Sequence, residues 1–294
     1  MILPGIVFLV ISPGLKPGID FTGGSTLTLG FSNTVTQLQV RNEITLLGYP
    51  EASVQSFGEN TFFIRSRELS EDDKNVIINA FETKLSQDGV DVLSFDLVSP
   101  VIAQETILNG VYAVLAATVG IFVFLWWAFR SVPSPFRYGI AAIVALLHDT
   151  IIVIGVFAIL GNLADIEVNT MFLIAILTVI GYSVNDTIVV FDRLRENIIN
   201  YPNREFSDNV NVSISETLGR SLNTSLTLMV TLLALFLFGG ATIQNFLLVL
   251  LIGVVAGTYS SIGIASQVLV AWEAGDFGRL LRRGGSASRS TASA

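Results

Sequence analysis

The sequence predicts a polytopic α-helical membrane protein that carries one extracytoplasmic α+β domain. Three observations support this. Hydrophobic residues fill 51% of the 294 positions and charged residues only 14%, with a mean hydropathy of +0.67. Five stretches each hold the roughly 20 apolar residues that a bilayer crossing takes. The polar residues gather in one segment, 14–104, which holds twelve acids and six bases, among them every lysine (Lys16, Lys74, Lys84).

Taken in order, Met1–Ser12 is apolar but too short to cross a bilayer. It reads as the end of a first helix whose start is missing, so residues 1–13 are a remnant and the expected total is six spans, the first abbreviated. A cleaved signal peptide fits poorly, because no basic leading region or small-residue cleavage site is visible.

From Pro17 to Pro100 the periodicity turns globular. Ser25–Phe31 alternates, with Leu27, Leu29 and Phe31 on one face, as in a half-buried strand. Thr34–Leu47 repeats Val35, Leu38, Ile44 and Leu47 at helical spacing, and Gly48 ends it. Ser53–Phe57 and Thr61–Arg65 flank a turn at Gly58–Asn60. Ser70 with Asp73 marks a helix start, followed by an inward stripe of Val76, Ile77, Ala80, Phe81 and Leu85. Val90–Val98 closes the pattern as a strand. The order β-α-β-β-α-β is that of a ferredoxin-like split βαβ domain. It carries no histidine, cysteine or phosphate-binding glycine loop, so a lever or docking role is expected rather than catalysis.

Residues 105–272 form a five-helix bundle with spans Thr106–Phe129, Tyr138–Leu160, Val168–Phe191, Ser221–Gly239 and Phe246–Trp272. The Gly/Ser/Ala-rich end of the tail 273–294 is expected to be disordered. Arginines fall in the 130–137 connection (Arg130, Arg137), in an expected loop at 192–217 (Arg193, Arg195, Arg204) and in the tail. The intervening short loops carry Asp165 and Glu167 or no charge. The positive-inside rule makes the arginine-bearing segments cytoplasmic and puts residues 14–104 outside.

Composition also excludes. The net charge of −8 speaks against nucleic acid as a partner. With no cysteine and a single histidine, His148, neither a disulfide framework nor a thiolate or multi-histidine metal site is available. No cofactor is expected.

The chemistry lies in the spans. Asp186 sits inside the apolar stretch Val168–Phe191, where an Asp at a helix centre costs roughly 2.5–3.5 kcal/mol on insertion scales. Thr178, Tyr182, Asn185 and Asp186 are spaced to share one helix face. Arg220 opens the next span, and Asn223, Thr224, Thr227 and Thr231 continue its stripe. Asp186 lies six residues before Asp192, roughly 9 Å into the span, and Arg220 four residues past Glu216, at similar depth. An ion pair between them, lined by the hydroxyl and amide groups of Tyr182, Asn223, Thr224 and Thr227, is the expected proton-handling site. A purely structural pair, with Arg220 snorkelling, is the plainer alternative. His148 and Asp149 form a second polar pair, read equally well as a structural hydrogen-bonded unit or as a second proton station. Gly253, Gly257, Ser261 and Ala265 recur every four residues, a small-residue face for close helix approach.

Several segments together resemble a known family. They are Gly18-Ile-Asp-Phe-Thr-Gly-Gly24, Leu147-His-Asp-Thr150, Gly181-Tyr-Ser-Val-Asn-Asp-Thr-Ile-Val-Val-Phe-Asp-Arg193, Arg220-Ser-Leu-Asn-Thr-Ser225 and Gly257-Thr-Tyr-Ser-Ser261. In this order, over nearly the whole chain, they look like the SecF members of the SecD/SecF protein-export family, itself similar to resistance–nodulation–division transporters. The resemblance implies assembly with SecD beside the SecYEG channel, an unfolded preprotein as substrate, a membrane-lipid environment in the bacterial cytoplasmic membrane, and use of the proton-motive force to complete translocation. It implies that Asp186 and Arg220 serve proton transport, with His148, Asp149 and Asn185 as further relay residues. Gly23 and Gly24 are expected to act as a hinge for the outer domain. No SecD portion is present, so the partner would be a separate polypeptide.

Two other classes compete with this reading. A proton-coupled small-molecule exporter would share the intramembrane acid, but such exporters carry twice the spans and two large outer domains. An intramembrane protease would need Asp149 and Asp186 as a dyad, or Ser183 with His148, and the flanking motifs of those chemistries are absent. An enzyme is therefore not expected.

Overall fold

The computed structural model describes residues 14–56, 60–86, 89–164 and 166–275, preceded by Gly5, Val7 and Leu9. The turn residues Gly58 and Glu59, most of Met1–Ser12 and the tail Gly284–Ala294 lie outside the described residues. The chain divides into two units, Pro17–Val111 and a second made of Met1–Lys16 with Tyr112–Ala294.

In the first unit the chain runs β1 (Gly24–Phe31), α1 (Gln37–Leu46), β2 (Ser53–Ser56), β3 (Thr61–Ser66), α2 (Glu71–Lys84) and β4 (Val90–Val98). The strands form one antiparallel sheet in the order β2-β3-β1-β4. Both helices start where a side chain replaces the missing backbone partner. Thr36 accepts from the Gln39 N–H while Gln39 returns a bond to the Thr36 N–H, and Ser70 and Asp73 do the same. The Ser70 hydroxyl (2.6 Å) and N–H (2.9 Å) both donate to Asp73 Oδ2, which holds that carboxyl below its ordinary range.

Leu27, Leu29 and Phe31 of β1 pack with Val40, Ile44, Phe62, Ile64, Ile77 and Phe81 into one core. Two expected inward residues face out: Leu38 and Val76 are exposed. Each helix buries a narrow stripe, Val40 and Ile44 on α1 and Ile77 and Phe81 on α2, and the i+4 spacing of those pairs leaves Leu38 and Val76 on the flank. Gly23 and Gly24 join a helical turn, Ile19–Thr22, to β1 with φ of +72° and +118°. A Cβ on Gly24 would lie 2.6 Å from the Ser66 carbonyl, so only glycine fits.

Five helical runs among the described residues are long and apolar enough to cross a membrane, the first beginning in the first unit and running into the second. They are α3 (Pro100–Ala128), α4 (Pro135–Leu163), α5 (Thr170–Asn200), α6 (Phe206–Phe238) and a continuous run Ile243–Glu273. That last run consists of α7 (Ala241–Ser260), a π-helical turn (Ser261–Ala265) and α8 (Ser266–Glu273). The chain is thus a multi-pass membrane protein, mostly helical with some sheet.

The expected loop at 192–217 is a correction. α5 continues to Asn200 and α6 begins at Phe206, leaving only 201–205 as connection. The charged residues stay helical because they find partners along and between the two helices. Arg193 Nε donates to Glu216 (2.7 Å), Arg195 pairs with Asp192 and Arg193 with Glu196 at i,i+3 spacing, and the Asn197 amide donates to Ser213 and Glu216. Phe129 stacks on Tyr138 at a centroid distance of 5.2 Å, and Phe191 meets both rings edge-on at 6.0 and 5.4 Å.

The small-residue face does what its spacing suggests. A Cβ on Gly253 would collide with Val179, and one on Gly257 would sit 3.0 Å from the Ser183 Cβ, so α7 lies directly against α5.

Candidate functional site

Asp186 is buried, at 6% exposure, on the inward face of α5. Its carboxyl faces Ser221 of α6 and Ser261 of the π turn. Its Oδ2 accepts no hydrogen bond. A buried carboxyl with unmet bonding capacity in an apolar span is an expensive arrangement, and such groups mark ion and proton paths.

Arg220 does not meet it. No ion pair within 4.0 Å joins Arg220 to Asp186 among the described residues, and Arg220 is exposed on α6. The reason is helical phase. Ser221 points inward at 1% exposure, and its neighbour Arg220 lies roughly 100° around the helix axis. Asn223, Thr224 and Thr227 share the exposed side, as do Thr178 and Asn185 on α5. The expected shared face of α5 is therefore split: Asn185 looks out, Asp186 looks in, and half-buried Tyr182 lies between them. Tyr182 makes a 2.8 Å hydroxyl contact with Ser225 of α6, which in turn meets Thr258 of α7 at 2.6 Å.

The second constellation is tightly built. Asp149 is 1% exposed on α4. Its Oδ2 accepts from Ser183 of α5 (2.6 Å) and from Ser260 of α7 (2.7 Å), and its Oδ1 lies 3.0 Å from His148 Nδ1. One carboxyl thus ties three helices together. Directly beyond Ser260, Ser261 sits 3.0 Å from Thr187 on α5 and donates to the Gly257 carbonyl (2.8 Å).

Sequence reasoning named Ser183 and Ser261 only in other roles and missed all of these serines as partners of the two acids. Ser183, Ser221, Ser225, Ser260 and Ser261 are all buried. Their one visible signal was position: Ser183 stands three residues before Asp186, Ser221 follows Arg220, and Ser261 lies on the small-residue stripe. A serine in a small-residue stripe reads as packing until its hydroxyl is seen to have a destination. No group of three or more His, Cys, Asp or Glu that could hold a metal occurs among the described residues.

Comparison with known proteins matches this architecture. Residues 78–275 match the family described as protein export membrane protein SecD/SecF, C-terminal, and residues 8–35 the SecD/SecF GG motif, which contains Gly23 and Gly24. The protein translocase subunit SecF of Thermobaculum terrenum is 44% identical over 295 residues, covering 96% of this chain and 92% of that one. That of Anaerolinea thermophila is 41% identical, covering 97% and 92%. Among solved structures, SecDF from Thermus thermophilus superimposes with a TM-score of 0.80 at 34% identity, covering 92% of this chain and 36% of that chain. A super-membrane-facing form of SecDF gives a TM-score of 0.64 at 32% identity, covering 98% and 38%. The chain therefore spans little more than a third of each SecDF polypeptide. The chain belongs to the SecD/SecF family of protein export membrane proteins, where its relatives are SecF subunits of the protein translocase.

Proposed function

We propose that this chain is the SecF half of a SecD–SecF pair that uses the proton-motive force to help move unfolded preproteins through SecYEG, with the α+β unit on the outer side of the cytoplasmic membrane. The observation that carries the reading is Asp186, a buried carboxyl whose Oδ2 lacks a hydrogen-bond partner inside an apolar span. Family membership supplies the context, and the SecDF chains that it resembles join both halves in one polypeptide. That union is the argument for SecD as the partner of this chain.

In this mechanism a neutral Asp186 rests against Ser221 and Ser261. On losing its proton it gains a charge that this setting stabilises poorly. Turning α6 by part of the roughly 100° between consecutive residues would bring Arg220 toward the position of Ser221. Proton loss and regain at Asp186 would then rock α6 against α5, with Asn223, Thr224 and Thr227 following on the same helix. The outer domain would receive the motion at Gly23–Gly24, and its β-α-β-β-α-β order supports a ferredoxin-like lever. One proton descending about 100 mV releases roughly 2.3 kcal/mol, enough to bias two domain orientations but not to unfold much cargo.

The test is preprotein export in energised vesicles as the proton and sodium gradients are collapsed one at a time. Loss of this chain's contribution with the proton gradient, and its survival without the sodium gradient, is the expected result. Dependence on sodium alone would replace the proton with a different coupling ion.

A further inference from the structure

The buried Asp149 cluster has no part in the mechanism above, yet it is joined to Asp186 by two consecutive residues. Ser260 donates to Asp149 Oδ2 at 2.7 Å. Ser261, the next residue, faces Asp186 and contacts the Thr187 hydroxyl at 3.0 Å. The helix changes from α to π between these two serines. A π turn carries one more residue than the α-helix it interrupts, and such turns are frequent at functional sites.

Hydroxyl bookkeeping makes this junction responsive to the charge on Asp149. A serine has one proton to donate. When Asp149 is ionised, Ser183 and Ser260 both donate to Oδ2. When Oδ2 carries the proton, the carboxyl becomes a donor there, and the two serines can no longer both point at it. Ser260 has an alternative acceptor, the Gly257 carbonyl at 3.2 Å. That carbonyl already receives the Ser261 N–H and, at 2.8 Å, the Ser261 hydroxyl, which together fill its two lone pairs. The two serines then compete for one carbonyl, and the group displaced is the one that faces Asp186. Ser261 has the Ser183 carbonyl at 3.4 Å as its other acceptor.

We propose that Asp149 is a second proton-holding carboxyl of this protein, and that Ser260 and Ser261 are positioning residues that couple its charge state to that of Asp186 across the π turn. The inference rests on the reading of Asp186 given above and deepens it. The titratable group facing Asp149 is His148, on its own helix α4; from α5 and α7 it is faced by the neutral hydroxyls of Ser183 and Ser260. No charged side chain lies within ion-pair distance of Asp186 among the described residues, so the hydroxyl route is the direct connection between the two acids.

The experiment is an infrared titration of the protonated-carboxyl bands of the full chain, purified with SecD and held in lipid nanodiscs. Asp149→Asn and Asp186→Asn identify the two bands. The expected result is that Ser260→Ala changes the proton affinity of Asp149 roughly threefold or more, the loss of one hydrogen bond to a charged group. It is also expected to move the midpoint of Asp186, while Ser260→Thr, which keeps the hydroxyl, restores both. An Asp186 midpoint that is the same in wild type, Ser260→Ala and Asp149→Asn overturns the coupling while leaving the proton role of Asp186 intact. Absence of any Asp186 titration overturns the coupling and the functional reading together. A Ser260→Ala chain too unstable to purify shifts the comparison to Ser260→Thr against Asp149→Asn, where an unmoved Asp186 midpoint again overturns the coupling.

Discussion

At the level of single residues, helix phase decides which polar groups in the spans can meet. Asp186 and Ser221 point inward while Asn185 and Arg220, their immediate neighbours, point out. The matching depth of Asp186 and Arg220 was legible, since each lies 14 residues from its helix's end at the 201–205 connection, but their separation in azimuth was not. Depth follows from 1.5 Å per residue, whereas azimuth depends on how α6 is rotated against α5, which no periodicity in one helix fixes. The outer domain offers a cleaner residue-scale case. Asp73 is held below its ordinary value near 3.8 by Ser70, so the capping interaction is present above that value and is lost as pH falls through the lower folded-state value. Ser70→Ala removes it at every pH. The expected cost is about 1 kcal/mol, a roughly fivefold loosening of the first turn of α2, read as faster amide hydrogen exchange at residues 71–74. Unchanged exchange there would mean that the cap contributes nothing.

At the level of elements, the sequence pattern was most informative where one face is buried and the other is wet. β1 and both helices of the α+β unit were legible from alternation, helical spacing and the Ser70–Asp73 start, because a half-buried element must repeat its apolar residues at its own period. The same rule exposes its limit at Leu38 and Val76, apolar residues at plausible spacing that lie beside the buried stripe rather than in it. Within the membrane the rule weakens, since lipid-facing and core-facing positions are equally apolar. There the small residues speak instead. Gly257→Leu should force α7 away from Ser183 on α5 and sharply reduce the yield of folded chain. Gly120→Ala, at a position with open space around the missing Cβ, should leave it unchanged. Equal yields from Gly257→Leu and wild type, measured by monodisperse recovery in detergent, would contradict the close α5–α7 packing. The π turn left no trace in the sequence. It is a local change of hydrogen-bonding register that no residue type in Ser261–Ala265 announces.

For the whole molecule, the distribution of charge fixes an orientation that is simple to test, because the chain has no cysteine of its own. Leu38→Cys, on an exposed face of α1, should react with a membrane-impermeant thiol reagent added outside intact cells. Tyr201→Cys, in the connection between α5 and α6, should react only after the membrane is opened. The reverse pattern would invert the topology. The membrane character and the position of the buried acid were readable from composition and spacing, because both follow from the energetics of moving polar groups into lipid, and the α+β unit was readable from its change of periodicity. The hydroxyl network was not, because a serine costs little in an apolar helix and leaves no break in the pattern.

The account turns on Asp186 as the group that takes up and releases the driving proton. Its most direct test is proton uptake coupled to preprotein export in vesicles carrying Asp186→Asn, with assembly alongside SecD checked in the same preparation. The variant should assemble as the wild type does, insert its spans normally, and lose both the coupled proton movement and the export that depends on it. Wild-type proton movement and export from correctly assembled Asp186→Asn would contradict the account.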